Sequence, residues 1–169
     1  MNGGYKNMKR IFATPLTAND SVAKEQLGCL RREWSATDSC YKTYRYVQAA
    51  SDTTVANGTA LGFVAADLTQ TSVSSDADDF YLDMVAGVGI GAITASYYGW
   101  IQTHGYHSVV KTNADDDIAA GVKLILCSTD GTVDSMAANT ASTNTVVGIA
   151  VAADVDANDT VAAYLTVAE

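Results

Sequence analysis

Between Tyr97 and Leu126 apolar and polar positions follow one another with the period of two that a half-buried strand requires. Tyr98, Trp100 and Gln102 alternate with Gly99, Ile101 and Thr103, and no stripe of period 3.6 competes. Gly105-Tyr106 stands where a two-residue hairpin loop with a leading glycine would sit, so Ser108 to Thr112 reads as the returning strand. Asp115, Asp116 and Asp117 break the run, and Gly121 admits a third strand from Val122 to Cys127. From residue 42 onward short β-runs are separated by Asp, Asn, Gly, Ser and Thr, the turn spacing of an all-β sandwich or barrel. Residues 1–41 lack a sustained period and read as an extended N-terminal arm. Within the arm Ala23, Leu27 and Leu30 keep helical spacing behind Asn19 or Asp20 as an N-cap, which allows a short helix. The β domain is accordingly predicted at 42–169, folding without its arm.

An internal duplication is predicted inside that domain, with halves near 42–106 and 107–169. Asp52 to Leu61 and Asp115 to Leu124 share the pattern D-x-x-[VI]-A-x-G-x-x-L, and Val88-Gly89-Ile90 is answered by Val147-Gly148-Ile149. Two such halves pairing into a closed or nearly closed barrel would remove the open edges of either one.

Composition and charge change the picture further. A length of 169 residues suits one domain with a substantial core. The longest apolar run, Met84 to Ala95, falls short of the ~20 residues of a membrane-spanning helix. Lys9 to Ala13 resembles the start of a signal peptide, but Pro15 and Thr17 end the apolar part at once. Cys29, Cys40 and Cys127 have neither disulfide-framework nor zinc spacing, which fits folding in a reducing compartment. The net charge of −9 is divided unevenly: residues 1–45 hold eight of the ten Lys/Arg against four carboxylates, +4, and the rest hold two Lys against fifteen, −13. A basic leader on an acidic body predicts one surface that grips an acidic partner, with Lys6, Lys9, Arg10, Arg31 and Arg32 as its charges. Phosphate would be repelled by the body, so nucleic acid is not the expected partner. Arg31, Arg32 and Arg45 also lie among Trp34, Tyr41, Tyr44 and Tyr46, a composition favoured at interfaces that a strand packing its tyrosines on a core would equally show.

The candidate chemistry is sparse. Gly87-Val-Gly89-Ile-Gly91-Ala92 has the letters of a phosphate loop, but the residues after it are strand-like; the glycines instead bare one strand face for a close backbone approach. His104 and His107 lack two further ligands for zinc and read as polar residues flanking an exposed turn. Asp154-Val-Asp156-Ala-Asn158-Asp159 imitates the start of a calcium loop but lacks its glycine and its final glutamate. The acidic turns at Asp76, Asp78, Asp79 and at Asp115 to Asp117 read as solvated tips. No nucleophile–base arrangement is signalled, so the chain is predicted to be neither an enzyme nor a cofactor protein.

The stretches YYGWIQTHGYHSVV, DDDIAAGVKLIL and VVGIAVAADVDANDTVAAYLTV resemble the head-decoration (capsid cement) proteins of tailed bacteriophages. Such proteins show a Tyr-Gly-Trp-hydrophobic-Gln strand, here Tyr98 to Gln102, and a closing hairpin, here Val146 to Val167; the resemblance covers about residues 80–169. It implies a compact β-barrel of β-tulip or β-clip type, a homotrimer on the outer surface of the capsid, made in the host cytoplasm. It implies the major capsid protein as partner, contacted through the N-terminal arm, with neither nucleic acid nor membrane involved. The arm's candidate contacts are then Lys6, Lys9, Arg10, Arg31, Arg32, Trp34, Tyr41, Tyr44 and Arg45, while Tyr98, Trp100 and Ile101 are expected in the core or a subunit interface. The 41 residues before the barrel are longer and more basic than the resemblance requires. Readings from other classes are a fibre-type host-recognition module, binding a receptor or glycan through Ser/Thr/Asn-rich loops, and a dUTPase-like barrel that hydrolyses nucleotides.

Overall fold

The computed structural model describes residues 12–67, 69–113, 118–136, 145–154 and 159–167. Among them lie ten strands and no helix: β1 (Leu30–Ser35), β2 (Cys40–Ala49), β3 (Ala60–Val64), β4 (Ser72–Ser74), β5 (Phe80–Gly89), β6 (Tyr98–Lys111), β7 (Lys123–Leu126), β8 (Val133–Ser135), β9 (Val146–Ala150) and β10 (Thr160–Thr166). They form one sheet in the order β1-β2-β4-β3-β5-β6-β10-β9-β7-β8. An additional β2–β6 pairing closes β2, β4, β3, β5 and β6 into a five-strand barrel. The β2–β4 pair is parallel and the others are antiparallel.

The strand period assigns each residue to a face. Val47, Leu61, Phe63, Val73, Ala86 and Ile101 point into one buried cluster, the barrel interior. Their neighbours in sequence point outward, and these too are covered. Ala60, Val85 and Val88 pack against Leu124, Val147 and Leu165 of β7, β9 and β10. Tyr44, Tyr46 and Trp100 form a third cluster under residues 12–28. Burial on both faces explains the apolar run of β5 from Val85 to Gly89, whereas Tyr81 near its start is exposed.

The two copies of the duplicated motif take equivalent places. Gly58 and Gly121 both turn with positive φ (80° and 84°), Leu61 and Leu124 are fully buried, and β3 pairs with β5 as β7 pairs with β9. Closure belongs to β2 and β6; β7 to β10 prolong the sheet beyond β6.

The expected hairpin at Gly105-Tyr106 does not form. β6 is one strand of 14 residues, because its first half pairs with β2 and its second half with β10. Gly105, at φ 93°, bends the strand where β2 crosses it, and a Cβ there would run into the Tyr41 carbonyl. The histidines therefore flank no turn: His104 lies half-buried at 5.7 Å from the Tyr164 ring, and His107 is buried. Gly89 does bare its strand as the sequence suggested, since a Cβ would meet the Ala56 carbonyl, and no helix follows it.

The helix allowed around Ala23 to Leu30 is absent as well. Residues 12–28 instead cross the β2–β6 pair as an irregular strap. The Trp100 indole N–H donates to Thr14 Oγ1 at 2.9 Å, and the Phe12 ring meets the indole edge-on at 5.3 Å. Glu25 Oε1 holds the strap's entry by accepting from Ala13 N, Thr14 N and Thr14 Oγ1 at 2.6, 3.0 and 3.2 Å. Asp20 and Tyr98 exchange two backbone hydrogen bonds. Propensity lost to tertiary packing here, because Leu27 is worth more against Tyr46 and Trp100 than along a short exposed helix.

Candidate functional site

The hairpin β1–β2 projects from the barrel with unbroken register, Arg32 opposite Thr43 and Trp34 opposite Tyr41. Its tip is fixed by Asp38, which accepts from the Ser35 hydroxyl at 2.7 Å and pairs with Lys42 at 2.8 Å. Those two partners hold the Asp38 carboxyl below its ordinary pKa, the lysine contributing most.

The two faces of the hairpin differ. Toward the strap, Arg31 donates to the Thr14 carbonyl at 2.7 Å, pairs with Glu33, and lies 5.3 Å from the Phe12 ring and 5.7 Å from Trp100. Tyr44 is buried beside it; burial, then the charge of Glu33, pushes its hydroxyl pKa up to about 12. The opposite face is open. Trp34 is 55% exposed and Tyr41 50%, their rings edge-to-face at 5.0 Å. The Arg32 guanidinium stacks on Tyr41 at 4.4 Å and meets no carboxylate among the described residues. Leu30, at 36% exposure, continues this face toward the barrel.

The structure thus separates the residues that composition had grouped. Arg32, Trp34 and Tyr41 come together on an accessible surface. Arg31 and Tyr44 serve the strap and the core, and Arg45 lies over the Phe63 ring at 5.2 Å. Trp100 and Ile101 are fully buried and Tyr98 partly so. Lys6, Lys9 and Arg10 lie outside the described residues, as do Asp115 to Asp117 and most of the loop after Asp154. Leu30 was missed because its spacing suited a helix; its alternation with Arg32 and Trp34 was the usable signal. A second exposed set, Ile149, Val151 and Tyr164, was also missed, although Tyr164 alternates with buried Ala163 and Leu165.

The far end of the barrel has the opposite charge. β4 runs parallel to the last residues of β2, so the loop after it lies at the end away from the hairpin tip. There Asp76, Asp78 and Asp79 approach Asp130, whose carboxylate accepts from Ala77 N at 3.0 Å. A recess of about 200 Å³ beside β6 is lined by Lys42, Tyr44, Asn57, Ile90, Gln102, His107 and Ser108. Lys42, Gln102 and His107 among them are already engaged, Lys42 by Asp38. The Gln102 amide donates to the carbonyls of His104, Gly105 and Tyr106. His107 Nδ1 accepts from Val109 N, so Nε2 carries the proton toward the Gly89 carbonyl, and burial pushes the ring's pKa down. Among the described residues no group of three His, Cys, Asp or Glu is placed to hold a metal. The arrangement is suited to surface recognition.

No family model matches the chain, and no curated protein matches it. Among solved structures it is similar to the N base of the head fiber gp8.5 of bacteriophage phi29. The two share 16% identity at a TM-score of 0.49, over 74% of this chain and 94% of that one.

Proposed function

We propose that this chain is a virion structural protein that decorates and stabilises the shell of a tailed bacteriophage, binding the capsid subunit through the outer face of the β1–β2 hairpin. The observation that carries this reading is the exposed Arg32–Tyr41–Trp34 cluster on a chain of net charge −9. Rigid aromatics beside an arginine make economical interface anchors, and a cation without a carboxylate partner favours an acidic surface. The resemblance of residues 80–169 to cement proteins supports the same reading, and the trimer it implies belongs to the proposal. A shell offers the same contact many times, so a modest affinity per arm becomes a large avidity for a multimer. The acidic loops at the far end would then face solvent, keeping neighbouring copies apart.

Co-sedimentation of the purified chain with undecorated shells tests this. Replacing Trp34 and Tyr41 together by Ala should leave the fold intact and the shells bare. Binding should also weaken with salt, as the Debye length falls from ~10 Å at 0.1 M to ~3 Å at 1 M. Normal decoration by that double variant would refute the assignment.

A further inference from the structure

The sheet begins at β1, which among the described residues pairs with β2 alone; no backbone hydrogen bond joins its outer edge to anything else described. An open edge is a template for one more strand, and folded proteins usually blunt it with proline, a bulge, charged side chains or a very short strand. β1 has six residues, no proline and no break in register, and of its three charges Arg31 and Glu33 pair with each other, leaving Arg32. None of its residues is buried, so the whole strand stands outside the core. Thr43 to Arg45 of β2 also pair with β6, so only the tip of the hairpin, up to Lys42, rests on two strands alone.

The side chains along the edge say what that third strand would carry. Leu30, Arg32 and Trp34 share the open face, and a neighbouring strand places its same-face residues directly against them. Arg32 calls for a carboxylate, because Glu33 is engaged with Arg31 and Asp38 with Lys42. Leu30 and Trp34 call for apolar neighbours on either side of it. A second copy of this chain is a poor occupant. Its other sheet edge, β8, is three buried residues, and pairing β1 with itself about its centre sets Arg32 against Arg32 or Glu33 against Glu33.

Resting on the reading that the shell is the partner, we propose that the edge of β1, open among the described residues, is completed by an extended segment of the capsid subunit. That segment carries a carboxylate beside Arg32 with apolar residues flanking it. The contact is strand addition: main-chain hydrogen bonds hold the segment, and Arg32 with Trp34 selects it.

The full chain, labelled for amide spectra, is titrated with a Val-Thr-Glu-Thr-Val peptide, which sets valine, glutamate and valine on one strand face. The same peptide N-methylated at alternate residues, and an analogue with lysine in place of glutamate, serve as controls. The first should shift the amides of residues 30–35 and slow their exchange, and Arg32→Glu should weaken it roughly fivefold. The two controls should do neither. Equal binding of the N-methylated peptide would reduce the contact to charge alone and overturn the proposal. Shifts centred outside β1, or no response at millimolar peptide, would overturn it equally. Shell decoration without a peptide response would refute strand addition and leave the function standing; a peptide response without decoration would do the reverse.

Discussion

Trp100 is the residue on which the strap and the barrel meet, and replacing Thr14 by Val tests that junction with little change of shape. Thr14 is 4% exposed and Trp100 1%, so the indole N–H cannot turn to water when the hydroxyl is removed. Leaving a buried donor unsatisfied costs about 1–3 kcal/mol, and Glu25 would lose one of the three donors it accepts from this entry. Truncating the indole itself is more severe. An aromatic side chain buries roughly 150–250 Å², worth about 4–6 kcal/mol at ~25 cal/mol per Å². Trp100→Ala should therefore lower stability by about 3–5 kcal/mol. Urea unfolding followed by circular dichroism reads both variants, and a Trp34→Phe background isolates the Trp100 fluorescence. In Trp100→Phe, Thr14→Val should cost clearly less than in the parent, a coupling of about 1 kcal/mol. Additive effects, or an indole readily quenched by iodide in the parent, would refute the junction. By the same argument a chain beginning at residue 42 would expose Tyr46 and Trp100, so it should melt lower than the full chain or aggregate.

Further outcomes follow from single groups. His107 is buried neutral, its folded pKa below the ordinary 6.5, so the unfolded chain binds its proton first. The His107 contribution should therefore be complete above pH ~6.5 and fall as the solution is acidified; in urea titrations His107→Gln should lose that part of the slope. Burial alone would raise the Asp67 pKa, but hydrogen bonds from Thr69, Ser72 and Thr71 outweigh it and hold the carboxylate well below its usual range. Its contribution is present above pH ~4 and lost below; Asp67→Asn should cost about 1 kcal/mol near neutrality and flatten the acid limb of a melting profile. Gly105→Ala forces a side chain into positive φ and against the Tyr41 carbonyl, so thermal melting should reveal a loss of about 1–3 kcal/mol.

The strand pattern around Trp100 was legible because period-two alternation is a local property. So were the equivalent turns at Gly58 and Gly121, where a shared motif serves a shared backbone need. Gly105 was misread because a glycine at positive φ serves a hairpin and a bent strand equally well. Only the partners, β2 on one half and β10 on the other, decide between them. The strap and β1 were hidden for a related reason. Their order comes from Thr14, Glu25 and Phe12 meeting Trp100 and Arg31, contacts between residues far apart in sequence. The candidate surface was half visible: composition grouped the arginines and aromatics, but only strand parity sends Arg31 inward and Arg32 out. That division also corrects the choice of variant. Replacing Arg31 would damage the strap, whereas Arg32 can be changed without touching the core.

The central claim is that this barrel coats a shell through the hairpin's open face. Its most direct test is the copy number of the chain in purified particles, measured by quantitative mass spectrometry for the parent and for Arg32→Glu. The account predicts a parent copy number that rises in proportion to the shell subunit, and a large loss in the variant with its melting temperature unchanged. A handful of copies per particle, or none, or a variant retained at the parent level, would contradict it.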